Sequence, residues 1–360
     1  TPRGAYGLYL HDQFLALKAQ LPKHITLQVI PEALQGFEQK EQTVNLKTHA
    51  RRWSVDYLVD ATGPRFAKLR PEWGDGGATP SEYRVFKAYP CDHYGHNLPP
   101  QVTVVGAGAA GIEVALHLLH NLRVEQVTLV SRRAQSRLPQ IETTETYQCQ
   151  WFTRENMQRQ PTAKNAQMLL QKELEACYRA CHLPYPGWDA LLNIEDYPDF
   201  LADHLKTTTL SPNHPLVHLM RPVLSFYDQV KDLLPAVEQI GVIQLIDRVK
   251  PLFAKQSRPC AELMLAAIKA GQLRLIAGEF LPEQTVPTIL QPGGNRIYPD
   301  CTILATGFTP SIFPYPPSDN THCYRVTGTS LSAVHQQAEN ATQHIISSIL
   351  RKPAGHAIYR

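Results

Sequence analysis

The feature that most constrains the fold is a run of glycines placed between two kinds of hydrophobic pattern. Val102 to Val105 reads as a short buried strand, and Gly106-Ala107-Gly108-Ala109-Ala110-Gly111 follows it at once. An apolar helical pattern then runs to about Asn121, and Gln126 to Val130 reads as a second strand. Strand, GxGxxG turn, helix and strand form the opening of a βαβ unit, the context in which this glycine spacing acts as a dinucleotide fingerprint. The first glycine permits a tight turn, the second lets a pyrophosphate approach the backbone, and the third allows close helix–strand packing. The helix N-terminus adds N–H groups and partial positive charge for phosphate.

The second strand ends in Ser131-Arg132-Arg133. A site for NAD or FAD normally carries an acid there, to hold the ribose 2′-hydroxyl; arginine suits a 2′-phosphate instead. This favours NADP(H) over NAD(H), with two solvent-facing loop arginines as the alternative.

Elsewhere the pattern supplies a framework. Leu10, Phe14, Leu17 and Leu21 keep helical spacing, so residues 9–20 are read as a helix. Residues 25–30, 43–48 and 53–59 read as strands. Residues 65–100 are rich in Pro, Gly and charge and read as a connector. Residues 135–271 are mostly helical, and Pro259 and Gly271 bracket one helix from near its start to just past its end. Residues 273–277 and 297–305 read as strands, and a last helix is expected over residues 332–350. Asp56 to Gly63 and Asp300 to Gly307 share the frame Asp, four residues, Ala-Thr-Gly, each a strand ending in a small-residue turn.

Composition excludes several classes. Of 360 residues, 43% are hydrophobic and 19% charged, which rules out a disordered or collagen-like chain. With 35 Lys and Arg against 32 Asp and Glu, the net charge of +3 gives no argument for nucleic acid. No apolar run approaches the length of a membrane span. Seven scattered cysteines suit reduced thiols in a cytoplasmic protein. Cys177 and Cys181, with Leu170 and Leu174, read as a core stripe. Cys91, Asp92, His93 and His96 lie in the connector without a second cluster, so zinc is not expected. No Gly-x-Ser-x-Gly or HExxH motif occurs.

The two Ala-Thr-Gly turns flank the glycine fingerprint, and Glu113 stands two residues after its last glycine. In that order the chain resembles the two-dinucleotide-binding FAD/NAD(P)-binding flavoproteins. Residues 2–10 (PRGAYGLYL), Ser131-Arg132-Arg133 with Leu138-Pro139, and a helical insertion after the second strand add to the likeness. The resemblance implies an α/β, Rossmann-like fold with residues 1–90 as part of an FAD-binding domain. Residues 98–308 would be an NADP-binding domain with the insertion 135–271, and residues 309–360 a return segment and C-terminal helix.

It implies FAD and NADP(H) as cofactors. Arg3 and Tyr6 would lie near the flavin, Thr62 and Gly63 near its adenosine side, and Thr306 and Gly307 between the two cofactors. The activity implied is NADPH-dependent flavin oxidoreduction on a small-molecule substrate or electron acceptor. A monooxygenase or hydroxylase, a dehydrogenase with a quinone or protein acceptor, and a non-catalytic nucleotide-binding relic remain open. No CxxC occurs, against a disulfide reductase. The family's own first GxGxxG has no counterpart before residue 99, so the first βαβ unit of the FAD domain is expected to be missing by truncation.

Overall fold

The computed structural model describes residues 3–40, 43–61, 65–66, 69, 73, 83–89, 91–94, 98–139, 147–210, 213–253, 255–309, 323–325, 338–339, 341–343 and 345–346. The chain divides into two compact units, residues 1–65 with 309–360, and residues 66–308.

In the first unit the helical spacing becomes α1, Arg3–Ala19. The apolar face of α1 is not buried: Leu10 is 48% exposed, Phe14 38% and Leu17 59%. Three strands then form an antiparallel sheet, β1 (Leu34–Lys40), β2 (Thr43–Thr48) and β3 (Arg52–Val55). The β1–β2 register pairs Gln39 with Val44 and Lys40 with Thr43. The segment read as a single strand over 53–59 breaks at Asp56 and Tyr57 and resumes as β4 (Leu58–Asp60), which pairs in parallel with Cys323–Arg325. Residues 25–30 are not a strand. Their alternation is real, but among the described residues no partner supplies a hydrogen-bond ladder, and Ile25, Leu27 and Val29 stay exposed. At the far end, residues 338–339, 341–343 and 345–346 are helical, within the expected last helix.

The second unit is built on a five-stranded parallel sheet. Its strands are β5 (Arg84–Lys87), β6 (Gln101–Val105), β7 (Gln126–Ser131), β8 (Leu273–Ala277) and β9 (Cys301–Leu304). Their spatial order is β8-β7-β6-β9-β5, and every pairing is parallel. β5 corrects the reading of 65–100 as a connector: Arg84–Lys87 is an edge strand in register with Cys301–Leu304. Val102 and Val104 in β6, Val127, Leu129 and Val130 in β7 and Ile303 in β9 are essentially inaccessible, as expected of parallel strands covered on both faces.

Parallel neighbours need crossovers. Between β6 and β7 the crossover is α2, Ala109–His120, whose buried side runs through Ile112, Ala115, Leu116 and Leu119. Between β7 and β8 lies the helical insertion: α3 (Arg154–Arg159), α4 (Ala163–Ala180), α5 (Trp188–Leu192), α6 (Tyr197–Leu210), α7 (Pro215–His218), α8 (Met220–Val230), α9 (Ala236–Phe253) and α10 (Arg258–Lys269).

Local signals set the ends of these helices. Thr162 caps α4 by accepting from the Asn165 N–H at 3.2 Å, and Ser257 caps α10 by accepting from the Cys260 N–H at 3.4 Å. Gly271, just past α10, takes φ +73°, a region that favours glycine. α10 packs on α2 and β8 and so closes the insertion back onto the sheet.

Leu170, Leu174 and Cys177 are buried, as the stripe on α4 requires, and Cys181 closes the helix with its thiol 3.6 Å from Asn213 Oδ1. Burial, with the Glu173 carboxylate nearby, pushes the Cys149 thiol up to about 12; burial likewise pushes Cys301 up to about 12. A raised pKa leaves the thiol protonated until pH rises toward it, and the thiolate is the nucleophile. At pH 8 each holds thiolate at only about one part in ten thousand. Iodoacetamide at pH 8, read by peptide mass mapping, is therefore expected to leave Cys149 and Cys301 unmodified in the folded protein and to label both in urea. Labelling in the folded protein at the unfolded rate would contradict this burial.

Candidate functional site

At the carboxyl edge of the parallel sheet the chain reverses direction. From β6 it steps outward through β7 to β8, then returns to place β9 on the other side of β6. In open α/β sheets ligands bind outside the strand ends at such a switch point. The Gly106–Gly111 turn leaves β6 there, and Thr306 and Gly307 leave β9 beside it.

The three sequence-separated turns are tied together by backbone. The Gly106 N–H donates to the Val130 carbonyl at 2.8 Å, and the Ala305 N–H donates to the Val105 carbonyl at 2.8 Å. Ala107 is buried and Thr306 and Gly307 are exposed, with Gly307 at φ +100°.

The glycines have different reasons for being glycine. Gly106 has φ +108°, and a Cβ there would stand 2.4 Å from the Ala305 carbonyl oxygen. On Gly111 a Cβ would stand 1.7 Å from the Gly106 carbonyl oxygen. The fold itself demands both. Gly108 is different: its φ of −78° and ψ of −174° suit any residue. Among the described residues, a Cβ there would meet only the Arg137 guanidinium, with Nη2 at 3.6 Å. None of the described residues forbids a side chain at 108, whereas a phosphate brought against the backbone would. Gly108 is also the N-cap of α2 and provides no side-chain cap. Ala109, Ala110 and Gly111 thus open the helix with first-turn N–H groups that have no intrahelical acceptor. These residues fit a dinucleotide pyrophosphate.

The segment after β7 closes over this turn. The Ser131 hydroxyl is spent locally, accepting from the Gln135 N–H and donating to the Gln135 carbonyl, both at 3.0 Å. Arg132 is exposed. Arg133 donates from Nη1 to the Arg248 carbonyl at 2.8 Å, which ties the strand end to α9. Burial, then the positive charges of Arg248 and Arg132, lower the Arg133 pKa from its usual value. Three guanidiniums therefore share this strand end, a setting that favours an anion. Arg248 had no sequence signal, because it arrives on α9.

Ser136 and Arg137 are further residues that motif reading missed. The Ser136 hydroxyl donates to the Ala107 carbonyl at 3.0 Å and clips the loop to the glycine turn. The Arg137 carbonyl accepts from the Tyr197 hydroxyl at 2.9 Å and from Gln256 Nε2 at 2.7 Å. Burial lowers the Arg137 pKa, and the Glu113 carboxylate works against that shift. Glu113 in turn accepts from the Tyr89 hydroxyl at 2.5 Å.

Of the other expected site residues, Arg3 and Tyr6 lie on α1. Thr62 and Gly63 lie outside the described residues. Among the described residues no group of three or more His, Cys, Asp and Glu could hold a metal ion. None of the described helices is long and apolar enough to cross a membrane.

A family model described as FAD-NAD(P)-binding matches residues 1–65. The likeness to FAD/NAD(P)-binding proteins is thus found independently in that segment. No curated protein matches the chain. Among solved structures, a thioredoxin reductase from Lactococcus lactis is 24% identical, covering 28% of this chain and 32% of its own, with a TM-score of 0.22. The chain therefore spans about a third of that protein. An ornithine N-hydroxylase from Kutzneria sp. 744 is 13% identical over 96% of this chain and 76% of its own, with a TM-score of 0.43. An L-lysine 6-monooxygenase from Pseudomonas syringae is 15% identical over 96% and 81%, with a TM-score of 0.39.

Proposed function

We propose that the chain is an NADPH-dependent flavin oxidoreductase of the monooxygenase type, with NADP(H) seated on the Gly106–Gly111 turn. The observation that carries the reading is Gly108, a glycine that the fold does not need and a pyrophosphate does. The cofactors would supply hydride transfer from NADPH to flavin and the reduction of oxygen, with one oxygen atom entering a small-molecule substrate and the other leaving as water.

The chain's own part is placement. Gly108, Ala109 and Ala110 offer backbone N–H groups to the pyrophosphate, and Gly106 and Gly111 hold the turn that aims them. Arg132 and Arg133, with Arg248 beside them, receive the 2′-phosphate. Thr306 and Gly307 border the same crevice on the β9 side. FAD is assigned to the N-terminal segment because residues 1–65 match the FAD-NAD(P)-binding model. Among the described residues that unit holds no strand–glycine turn–helix cradle.

Titration tests this reading. Replacing Arg132 and Arg133 by Ala is expected to weaken NADPH binding by about 1.5–3 kcal/mol per lost charge-assisted contact, with little change for NADH. A native preference for NADH would defeat the cofactor assignment. NADPH oxidation coupled to oxygen uptake supports the monooxygenase type. Quinone reduction without oxygen uptake would replace it with a dehydrogenase.

A further inference from the structure

Three histidines are buried where α6 and α7 meet: His204 is 3% exposed, His214 8% and His218 9%. His214 is the N-cap of α7, and its Nδ1 accepts from the Leu216 N–H at 3.2 Å. A ring nitrogen that accepts carries a lone pair, so this imidazole is neutral with its proton on Nε2. The His204 ring of α6 stands edge-on to it, with centroids 4.8 Å and planes 82° apart. From α4 the Tyr178 ring meets His214 at 6.0 Å, and Tyr178 in turn meets the Tyr185 ring at 5.4 Å.

The surroundings suit a neutral ring. Asp203 and Lys206 on α6 are exposed, and Glu175 and Arg179 on α4 pair with each other at the surface. The buried positions of α8 and α9, which pack on α7, and of α10, which packs on α6, are apolar. Leu138 and Pro139, also against α6, are apolar and buried. α4 supplies the Cys181 thiol, 3.6 Å from Asn213 Oδ1, and one buried acid, Glu173. That carboxylate already accepts from Tyr147 and from two backbone N–H groups. The partial positive charge at the start of α7 is a further cost to a cation at its cap.

His218 is placed differently. Its Nε2 meets Asn213 Oδ1, and an amide oxygen only accepts, so His218 donates and keeps that bond when charged. Its ring lies 6.1 Å from that of Tyr147, whose hydroxyl donates to Glu173. A proton on His218 is therefore tolerated, whereas a proton on His214 Nδ1 turns the acceptor of the Leu216 N–H into a second donor.

We infer that the junction of α6 and α7 is an acid-opened latch of the helical insertion, closed by neutral His214 and released when its Nδ1 takes up a proton. The closed latch excludes a proton that the open segment binds once pH falls below about 6.5, where an unperturbed imidazole titrates. The open state then carries more protons, so closure weakens as pH falls and is independent of pH above about 7.5. The response lies on a helix that also reaches the glycine turn, since α6 begins with Tyr197, whose hydroxyl holds the Arg137 carbonyl.

The test is amide hydrogen exchange of the full chain, read by peptide mass spectrometry and corrected for the effect of pH on the exchange chemistry itself. Between pH 7.5 and pH 5.5 the opening constant of α7 is expected to rise about tenfold for the one proton on His214, with β6 and β7 unchanged. His214→Asn keeps an oxygen for the Leu216 N–H and is expected to abolish the rise. His218→Gln is expected to retain it.

An opening constant that does not change with pH overturns the latch, as does a rise shared equally by β6 and β7, which is global unfolding. A rise that survives in His214→Asn, or that His218→Gln removes, assigns the proton elsewhere and overturns it too. Should His214→Asn not fold, nitrogen NMR of the native chain labelled in histidine decides. His214 is expected as the neutral Nε2–H tautomer at pH 6, and an imidazolium there in the folded protein overturns the inference.

Discussion

Gly108→Val is expected to fold with a near-native melting temperature and to lose NADP+ binding, whereas Gly111→Ala is expected to lose a large part of its stability. The two glycines stand three residues apart in one motif, and their environments separate them. At 108 the backbone already has an extended conformation, and among the described residues the neighbour of a new Cβ is the end of a flexible arginine. The cost to the fold is a poorer N-cap, about 1 kcal/mol. The cost to a bound dinucleotide is its seat, since the added atoms take the volume through which phosphate meets the first N–H groups of α2.

At 111 a Cβ would lie 1.7 Å from the Gly106 carbonyl oxygen. That contact can be relieved only by lifting α2 off β6, and the buried side of α2 packs in the core of this unit. A loss of about 3–5 kcal/mol follows, at the upper end of what overpacking costs. Thermal melts and NADP+ titrations of the two variants check both halves. Native NADP+ affinity in Gly108→Val would remove this turn from consideration as a dinucleotide site.

The second large effect is expected far from that turn. Glu173 lies on α4 and is fully buried. Its Oε1 accepts from the Tyr147 hydroxyl at 2.6 Å, and its Oε2 accepts from the backbone N–H of Trp151 at 2.6 Å and of Phe152 at 2.8 Å. This carboxylate therefore serves as the acceptor for the chain that enters α3. Removing it orphans the buried Phe152 N–H and the part-buried Trp151 N–H, each worth about 1–3 kcal/mol, as well as a hydroxyl.

Glu173→Ala is expected to destabilise the protein by about 3–6 kcal/mol in urea unfolding. Glu173→Gln keeps an oxygen for the two N–H groups and is expected to lose about 1–2 kcal/mol. Equal losses for the two replacements would show that the bonds matter less than the packing of the side chain. A loss below 1 kcal/mol for the Ala variant would show that the entry to α3 does not depend on this residue.

What could be read from the sequence was whatever neighbouring residues decide among themselves. The glycine spacing, the buried runs of β6 and β7, and the Pro259 and Gly271 ends of α10 depend on φ, capping and burial within a few residues, and the structure has them where the pattern puts them. The face of α4 through Leu170, Leu174 and Cys177 belongs to the same class, since helical periodicity alone aligns it.

Tertiary structure decided everything that needs a partner. Residues 25–30 alternate like a strand and are none, while Arg84–Lys87, inside a stretch rich in breakers, is a strand because β9 offers it a ladder. Hydrogen-bond pairing across a sheet is a property of two segments, and one segment's pattern cannot supply the other.

The site divides in the same way. Gly106, Gly108 and Gly111 announce themselves by spacing, but that a Cβ would collide at two of them and not at the third is visible only when the atoms around them are known. Arg137 carries no motif. Tyr197 and Gln256, 60 and 119 residues further along the chain, set its backbone, and Arg248 comes to the end of β7 only because α9 folds back upon it. A cation's role depends on what stands within a few ångströms of it, and for this protein the long helical insertion determines that.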